Sequence, residues 1–252
     1  MQPEDQDQHL SRISTLWTIV CNAKGGPAEA VTAAQEELMH RYRGAVYRYL
    51  LGALREPEAA DELAQEFALR FLRGDFRRAD PERGRFRDFV KGVLFHLIAD
   101  HHRRKRVQPQ HLPADGAEPA AAEPSPQDAL EQGFCDSWRE ELLARTWAAL
   151  DRIEKQTGQP FGSILRFRIE HPELRSPQMA EQLSAQFQRR LSADWVRQML
   201  HRGRDKFADL LLAEVAETLR HPTREELQTE LSDLGLLVYC QTALKRYRPD
   251  SG

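Results

Sequence analysis

The sequence predicts an all-α protein: two helical domains joined by a flexible acidic linker and followed by a C-terminal helical extension. Three observations carry that prediction. Apolar residues recur at three- and four-residue spacing almost throughout, with little of the alternation a strand needs. At 252 residues the chain is long for one compact core and comfortable for two small ones. Charge is segregated into blocks: Met1 to Leu69 holds 6 Lys or Arg against 11 Asp or Glu, Arg70 to Arg106 holds 12 against 5, and Val107 to Asp136 holds none against 6. Gly162 to Leu212 is basic again, 9 against 6, and the remainder is mildly acidic, 5 against 7. The expected organisation is therefore an N-terminal extension over 1–30, a first domain over 31–106, the linker over 107–136, a second domain over 137–212 and the extension over 213–252.

Composition narrows the class. Hydrophobic content of 40% and charge of 30% describe a globular chain, and apolar runs such as Leu234 to Val238 are far too short to span a bilayer. MQPEDQDQHL lacks the basic start and apolar stretch of a signal peptide, so a cytoplasmic location is expected. Cys21, Cys135 and Cys240 are odd in number and widely separated, without zinc-site spacing, and read as reduced thiols. No cofactor is implied.

In VTAAQEELMHRYRGAVYRYLLGAL, Leu38, Tyr42, Val46, Tyr49 and Leu50 share a face, and the helix should end before Pro57. EAADELAQEFALRFL follows, with Leu63, Phe67 and Leu72 expected inward and Asp61, Glu62, Gln65 and Glu66 outward. After the turn signal DPERG, RFRDFVKGVLFHLIADHHRRKR predicts a helix burying Phe86, Phe89, Val90, Val93, Leu94, Leu97 and Ile98, with a basic cluster at its far end. Cations neutralise phosphates and aromatic faces accept unstacked bases, so this run reads as a single-strand nucleic-acid surface. The competing reading makes each phenylalanine core and leaves HHRRKR to favour the negative end of the helix dipole. His96 and Asp100 sit one turn apart, but no third ligand accompanies them as a metal site would require.

VQPQHLPADGAEPAAAEPSPQDALEQGFCD cannot bury a core and reads as the tether. SWREELLARTWAALDRIEKQTG then predicts a helix with Leu142, Leu143, Trp147, Leu150 and Ile153 inward, closed by Gly158 and Pro160. PFGSILRFRIEHPEL is another, and SPQMAEQLSAQF a short third, with Ser176 expected as N-cap and Pro177 in first helical position. In SADWVRQMLHRGRDKFADLLL, Val196, Leu200, Phe207 and Leu211 form an apolar stripe while Arg197, Gln198, His201, Arg202 and Arg204 project away. That division, with one face on its own domain and one long enough to reach base edges, is a helix-turn-helix signal. In the tail, TREE is a capping-box pattern opening a helix in which Leu227, Leu231, Leu234 and Val238 share a face. It reads either as packing on the second domain or as a regulatory lid.

Taken together, DELAQEFALRFL, FRDFVKGVLFHLIADHHRRKR, the acidic linker and VRQMLHRGRDKF resemble a bacterial sigma-70 family factor of the extracytoplasmic-function (ECF) group. STLWTIV, DPERGRFRDF and EVAETLRHPTREELQTELSDLGLL resemble the set of such factors found in planctomycetes and related bacteria. The resemblance implies a region 2-like bundle, a region 4-like helix-turn-helix, and no catalysis by the chain itself. It implies bacterial core RNA polymerase as partner, with Asp61, Glu62, Gln65 and Glu66 as contacts. It further implies promoter DNA: Arg85, Phe86, Phe89, Lys91, Arg103, Arg104, Lys105 and Arg106 against the duplex edge and melted strand of the minus-ten element, and Arg197, Gln198, His201, Arg202 and Arg204 on the minus-thirty-five element. An anti-sigma or other regulatory protein is the third implied partner. The turn SAQFQRRLSAD is longer than usual, and Trp195 stands where a small hydroxyl residue is usual; Ser192 can still cap the helix, and Trp195 is expected to pack.

The acidic linker reads either as a mimic of nucleic-acid charge in the polymerase channel or as a solvated spacer. Two other functions stay in view. A stand-alone helix-turn-helix regulator accounts for the second domain but not for DELAQEF. A nuclease would need converging carboxylates or metal ligands, for which Asp61, Glu62 and Glu66 are the nearest set.

Overall fold

The computed structural model describes residue 20 and residues 28–73, 85–107, 126–219 and 222–247. Every regular element among them is helical: α1 Ala28–Leu54, α2 Pro57–Arg73, α3 Phe86–Val107, α4 Pro126–Thr157, α5 Phe161–Glu170, α6 Ser176–Gln186, α7 Ala193–Ala216, α8 Arg224–Asp233 and α9 Leu237–Arg246. STLWTIV apart from Val20, DPERG and residues 108–125 of the expected linker lie outside the described residues. The chain divides into two units at Glu141 and Leu142, with Glu217–Pro222 belonging to the first unit and Thr223 onward to the second.

The first unit is built on an aromatic core. Leu38, Tyr42, Val46, Tyr49 and Leu50 are buried along one face of α1, as their spacing requires. Tyr42 stacks on Trp138 with ring centroids 4.4 Å apart and planes 3° from parallel, and Phe86 tilts against both. Phe134 meets Tyr49 edge-on at 5.2 Å. Phe134 and Trp138 come from α4, which begins inside the stretch expected to be linker. Pro126 to Asp136 is helical, and the aromatic pair one turn apart gives that helix a face to bury. The linker expectation over 107–136 is therefore corrected at its C-terminal end.

Three inward assignments also change. Phe71, not Leu72, completes the buried face of α2, and Leu72 is 42% exposed. At 100° per residue, position 72 lies half a turn round from Leu63. On α3, Val90, Leu94, Leu97 and Ile98 are buried as expected, whereas Phe89 and Val93 are only half-buried. The N-terminal end of α3 is tied down by its own unit, since the Phe86 N–H donates to the Thr218 carbonyl at 3.0 Å.

The second unit packs α5, α6 and α7 with the second half of α4 around Leu150, Ile164, Met179, Leu183, Val196 and Leu200. Arg166 lies 4.8 Å over the Trp147 ring and forms paired 2.7 Å hydrogen bonds with Asp151. Hydrogen bonding from Arg166 holds the Asp151 carboxyl below the usual carboxylate range. Gly203 sits where α7 crosses α5: a Cβ there would meet Leu165 Cγ at 3.3 Å.

The helix ends obey capping chemistry, with one change. Ser176 is the first residue of α6, and the N-cap is Arg175, whose N–H donates to Gln178 Oε1 at 2.9 Å; Pro177 falls in the first turn, where its missing N–H costs nothing. Ser192 does cap α7, accepting from the Trp195 N–H at 3.1 Å. Thr223 and Glu226 form a reciprocal capping box on α8. The single tail helix expected from that box is two, because Gly235 takes a left-handed φ of 66° and the Leu236 N–H closes on the Leu231 carbonyl at 2.7 Å. Leu227, Leu231 and Leu234 are buried, but Val238, beyond the break, is 67% exposed.

Candidate nucleic-acid interface

The first unit presents two surfaces. On α2, Asp61, Glu62 and Gln65 are exposed and Glu66 is half-buried, all directed away from the core that holds Leu63, Phe67 and Phe71. Leu69 and Leu72, 52% and 42% exposed, continue the stripe of Asp61 and Gln65 at helical spacing. Large apolar side chains left in water beside carboxylates and an amide are the makings of a protein contact. Sequence reasoning placed Leu72 inward and left Leu69 unassigned, although their offsets of four and seven residues from Gln65 put them on the outer face.

The second surface is α3. Arg103 and Arg104 are exposed, and Lys105 is half-buried. Their charge is partly answered from nearby: Lys105 Nζ lies 2.5 Å from Glu56 Oε1, Arg104 3.7 Å from Glu66 Oε2, and Arg103 3.3 Å from Asp100. Glu66 also pairs with Arg70. The hydrogen bond from Lys105, its charge, and more weakly those of His101 and His102, hold the Glu56 carboxyl below its ordinary range. Lys91 sits 3.8 Å from Glu131 of α4. Arg85 is half-buried at the N-terminal end of the helix, and the side chain of Arg106 lies outside the described residues.

Phe86 requires a correction. It is 1% exposed, at the centre of the ring cluster of Tyr42, Phe71, Phe89 and Trp138, so no base can stack on it without opening the core. Phe89, half-buried against Phe71 and Phe86, remains at the surface's edge. Aromatic residues at three-residue spacing on one helix served the core first, the reading the sequence left open for each phenylalanine.

The second unit displays all five expected residues of α7. Arg197, Gln198, His201, Arg202 and Arg204 are exposed, while Val196, Met199, Leu200 and Gly203 between them are buried. Arg197 pairs with Asp194 one turn back, and His201 Nδ1 lies 3.2 Å from Asp205. Trp195 is partly buried against the domain core, with Arg189 5.1 Å over its ring. The turn between α6 and α7 is organised by Ser184, whose hydroxyl donates to the Ala180 carbonyl at 2.5 Å and accepts from the Leu191 N–H at 2.9 Å. Gln188 takes the left-handed conformation there, with φ 49°.

Asp61, Glu62 and Glu66 bear on the nuclease alternative. They lie along one outer helix face, and Glu66 is engaged by Arg70 and Arg104, so they do not converge on a common point. Among the described residues no group of three His, Cys, Asp or Glu is placed to hold a metal ion, and no helix is long and apolar enough to cross a membrane.

No curated protein and no solved structure matches the chain. The family described as Sigma-70 region 2 matches residues 38–107, which run from within α1 through α2 to the end of α3. The match thus spans both surfaces of the first unit and stops short of Phe134 and Trp138, which complete its core. Residues 38–107 are thus similar to sigma-70 region 2, and the match is confined to the first unit.

Proposed function

We propose that the chain is an ECF-group sigma factor, of the type found in planctomycetes, that acts in the cytoplasm and directs core RNA polymerase to particular promoters. In this reading the outer face of α2 docks on the polymerase clamp through Asp61, Glu62, Gln65 and Glu66, with Leu69 and Leu72 beside them. The exposed basic end of α3, with Arg85, Phe89 and Lys91, meets the duplex edge and the melted strand of the minus-ten element. The exposed face of α7 reads the minus-thirty-five element as a region 4-like helix-turn-helix. The polymerase carries out bond formation, while this chain supplies location and strand opening, with capture of extruded bases offsetting the cost of unstacking.

The observation that carries the reading is the coincidence of the region 2 match with an acid- and leucine-bearing outer face and a basic helix end in one folded unit. The test is co-elution of the purified chain with bacterial core polymerase, comparing wild type with Asp61, Glu62, Gln65 and Glu66 all changed to alanine. A stable complex lost in the variant is expected. Failure of the wild type to co-elute, with duplex DNA bound by the chain alone, would favour a stand-alone regulator.

A further inference from the structure

Two helices of the chain carry open faces of matching layout. On α2, Asp61, Glu62 and Gln65 are exposed towards the N-terminal end, and Leu69 and Leu72 stand exposed further along the same stripe. On α9, Val238 and Tyr239 are exposed in the first turn, and Thr242, Lys245 and Arg246 follow them, exposed as well. At 100° per residue these five lie within about a third of the helix circumference, away from Cys240 and Leu244, which are buried.

The two faces run in opposite order. From N- to C-terminus α2 passes from acid to apolar, whereas α9 passes from apolar to basic. Glu62 to Leu69 and Val238 to Lys245 are each seven residues apart, about 10.5 Å of helix. An antiparallel pairing therefore sets the leucines on Val238 and Tyr239, Gln65 beside Thr242, and the two acids against Lys245 and Arg246. It also brings the positive end of the α2 dipole to the negative end of α9.

The charges are available for such a contact. Among the described residues Asp61 and Glu62 have no basic partner and Lys245 has no acidic one, while Arg246 is shared with Asp209 at 2.9 Å. Large apolar side chains in water beside unanswered charge of one sign suit a protein surface of the other sign. Each stripe is open in the chain that carries both, and a second copy presents the matching face to each.

We propose that α9 is a self-recognition helix, which lies antiparallel across the outer face of α2 in a second copy of this chain and covers Leu69 and Leu72. One pair of two-turn faces is at the small end of protein interfaces, so the association is weak and grows with concentration. Chains so associated withhold the α2 face from core polymerase. That consequence rests on the docking reading above, whereas the pairing itself does not.

The test is sedimentation equilibrium of the full chain over a wide concentration range, without polymerase. The wild-type mass is expected to climb above that of the monomer. Val238→Ser/Tyr239→Ser, at two exposed positions, should weaken association at least roughly tenfold by removing the apolar anchors. Lys245→Glu alone and Asp61→Lys/Glu62→Lys alone should each do the same, roughly tenfold or more, by setting like charges opposite one another. The contact is heterologous, so an equimolar mixture of these last two variants should regain association, reversed charges meeting across one contact and native charges across the other. Circular dichroism checks that each variant is folded.

A wild type that stays monomeric throughout overturns the proposal, as does association that Val238→Ser/Tyr239→Ser leaves intact. Weakened single variants with no recovery in the mixture mean that α2 and α9 do not meet, and overturn the pairing. Core polymerase added to the associated wild type is expected to break it into single polymerase-bound chains; polymerase bound to the intact assembly overturns the masking. Polymerase that binds neither the wild type nor the monomeric variant overturns the docking reading of α2 and leaves the pairing, measured in its absence, standing.

Discussion

Trp138 lies 31 residues beyond the end of the region 2 match, yet it is fully buried in the first unit's core, so replacing it tests where the folded domain ends. Burying an aromatic of 150–250 Å² at about 25 cal/mol per Å² contributes roughly 4–6 kcal/mol, an upper bound because the unfolded chain is not fully extended. The parallel stack on Tyr42 at 4.4 Å adds about 0.5–1.5 kcal/mol. Against these stands the indole N–H, buried without a hydrogen-bond partner among the described residues, whose removal relieves about 1–3 kcal/mol. Trp138→Ala should therefore cost the unit about 3–5 kcal/mol, the range found for large aromatic truncations.

The assay is native-state hydrogen exchange followed on peptides of α1, which separates this unit from the other. A loss of about 3 kcal/mol appears as protection lowered by roughly a hundredfold in the slowest α1 amides. Trp138→Phe, which keeps most of the ring contact and deletes the unpartnered N–H, should cost no more than about 1.5 kcal/mol. A change under about 1 kcal/mol for Trp138→Ala would mean that α4 is dispensable to the first core and that the domain ends at residue 107 after all.

Other outcomes follow from single side chains. The Tyr49 hydroxyl is buried without a hydrogen-bond partner among the described residues, and burial, with the charge of Glu131 secondary, pushes its pKa well above the ordinary phenol value; Tyr49→Phe should be neutral or stabilise by about 1 kcal/mol in urea denaturation. Burial, with a smaller contribution from Asp209, pushes the Cys240 thiol up to about 12, above its unfolded value. Its contribution to stability is therefore complete below about pH 9 and is lost as pH rises from there towards 12, and at pH 8 a disulfide reagent should modify the half-buried Cys135 well before Cys240. Leu69→Ser with Leu72→Ser should leave the melting temperature within about 3 °C of wild type while weakening co-elution with core polymerase at least tenfold. Thr223→Ala removes the α8 cap and should cost about 1 kcal/mol, read as faster exchange in α8.

Much of this was legible because helical periodicity is a local property. The α1 face, the α7 stripe and the Thr223 capping box each depend on residues within a few turns of one another, and each stands where its pattern requires. What escaped depends on distant partners or on averaged composition. Phe134 and Trp138 sit at the edge of a Pro- and Ala-rich stretch whose overall character says tether, and only the aromatic core awaiting them on α1 and α3 turns that edge into helix. Phe86 could be read as core or as a base contact, with core the favoured reading for any single phenylalanine, and nothing in α3 alone says that Trp138 will come to lie against it. Arg168 and Arg175 are far from α7 in sequence, and their relation to Arg204 exists only once α5, α6 and α7 have packed. The acidic residues of α2 were found by their outward phase, but the tie of Glu66 to Arg104 required the fold.

The hydroxyl of Ser184 bridges the last turn of α6 to Leu191 and so ties together the two ends of the connection between α6 and α7. A joint closed in this way tolerates change in the exposed side chains it spans, with Gln188 set apart by its left-handed backbone.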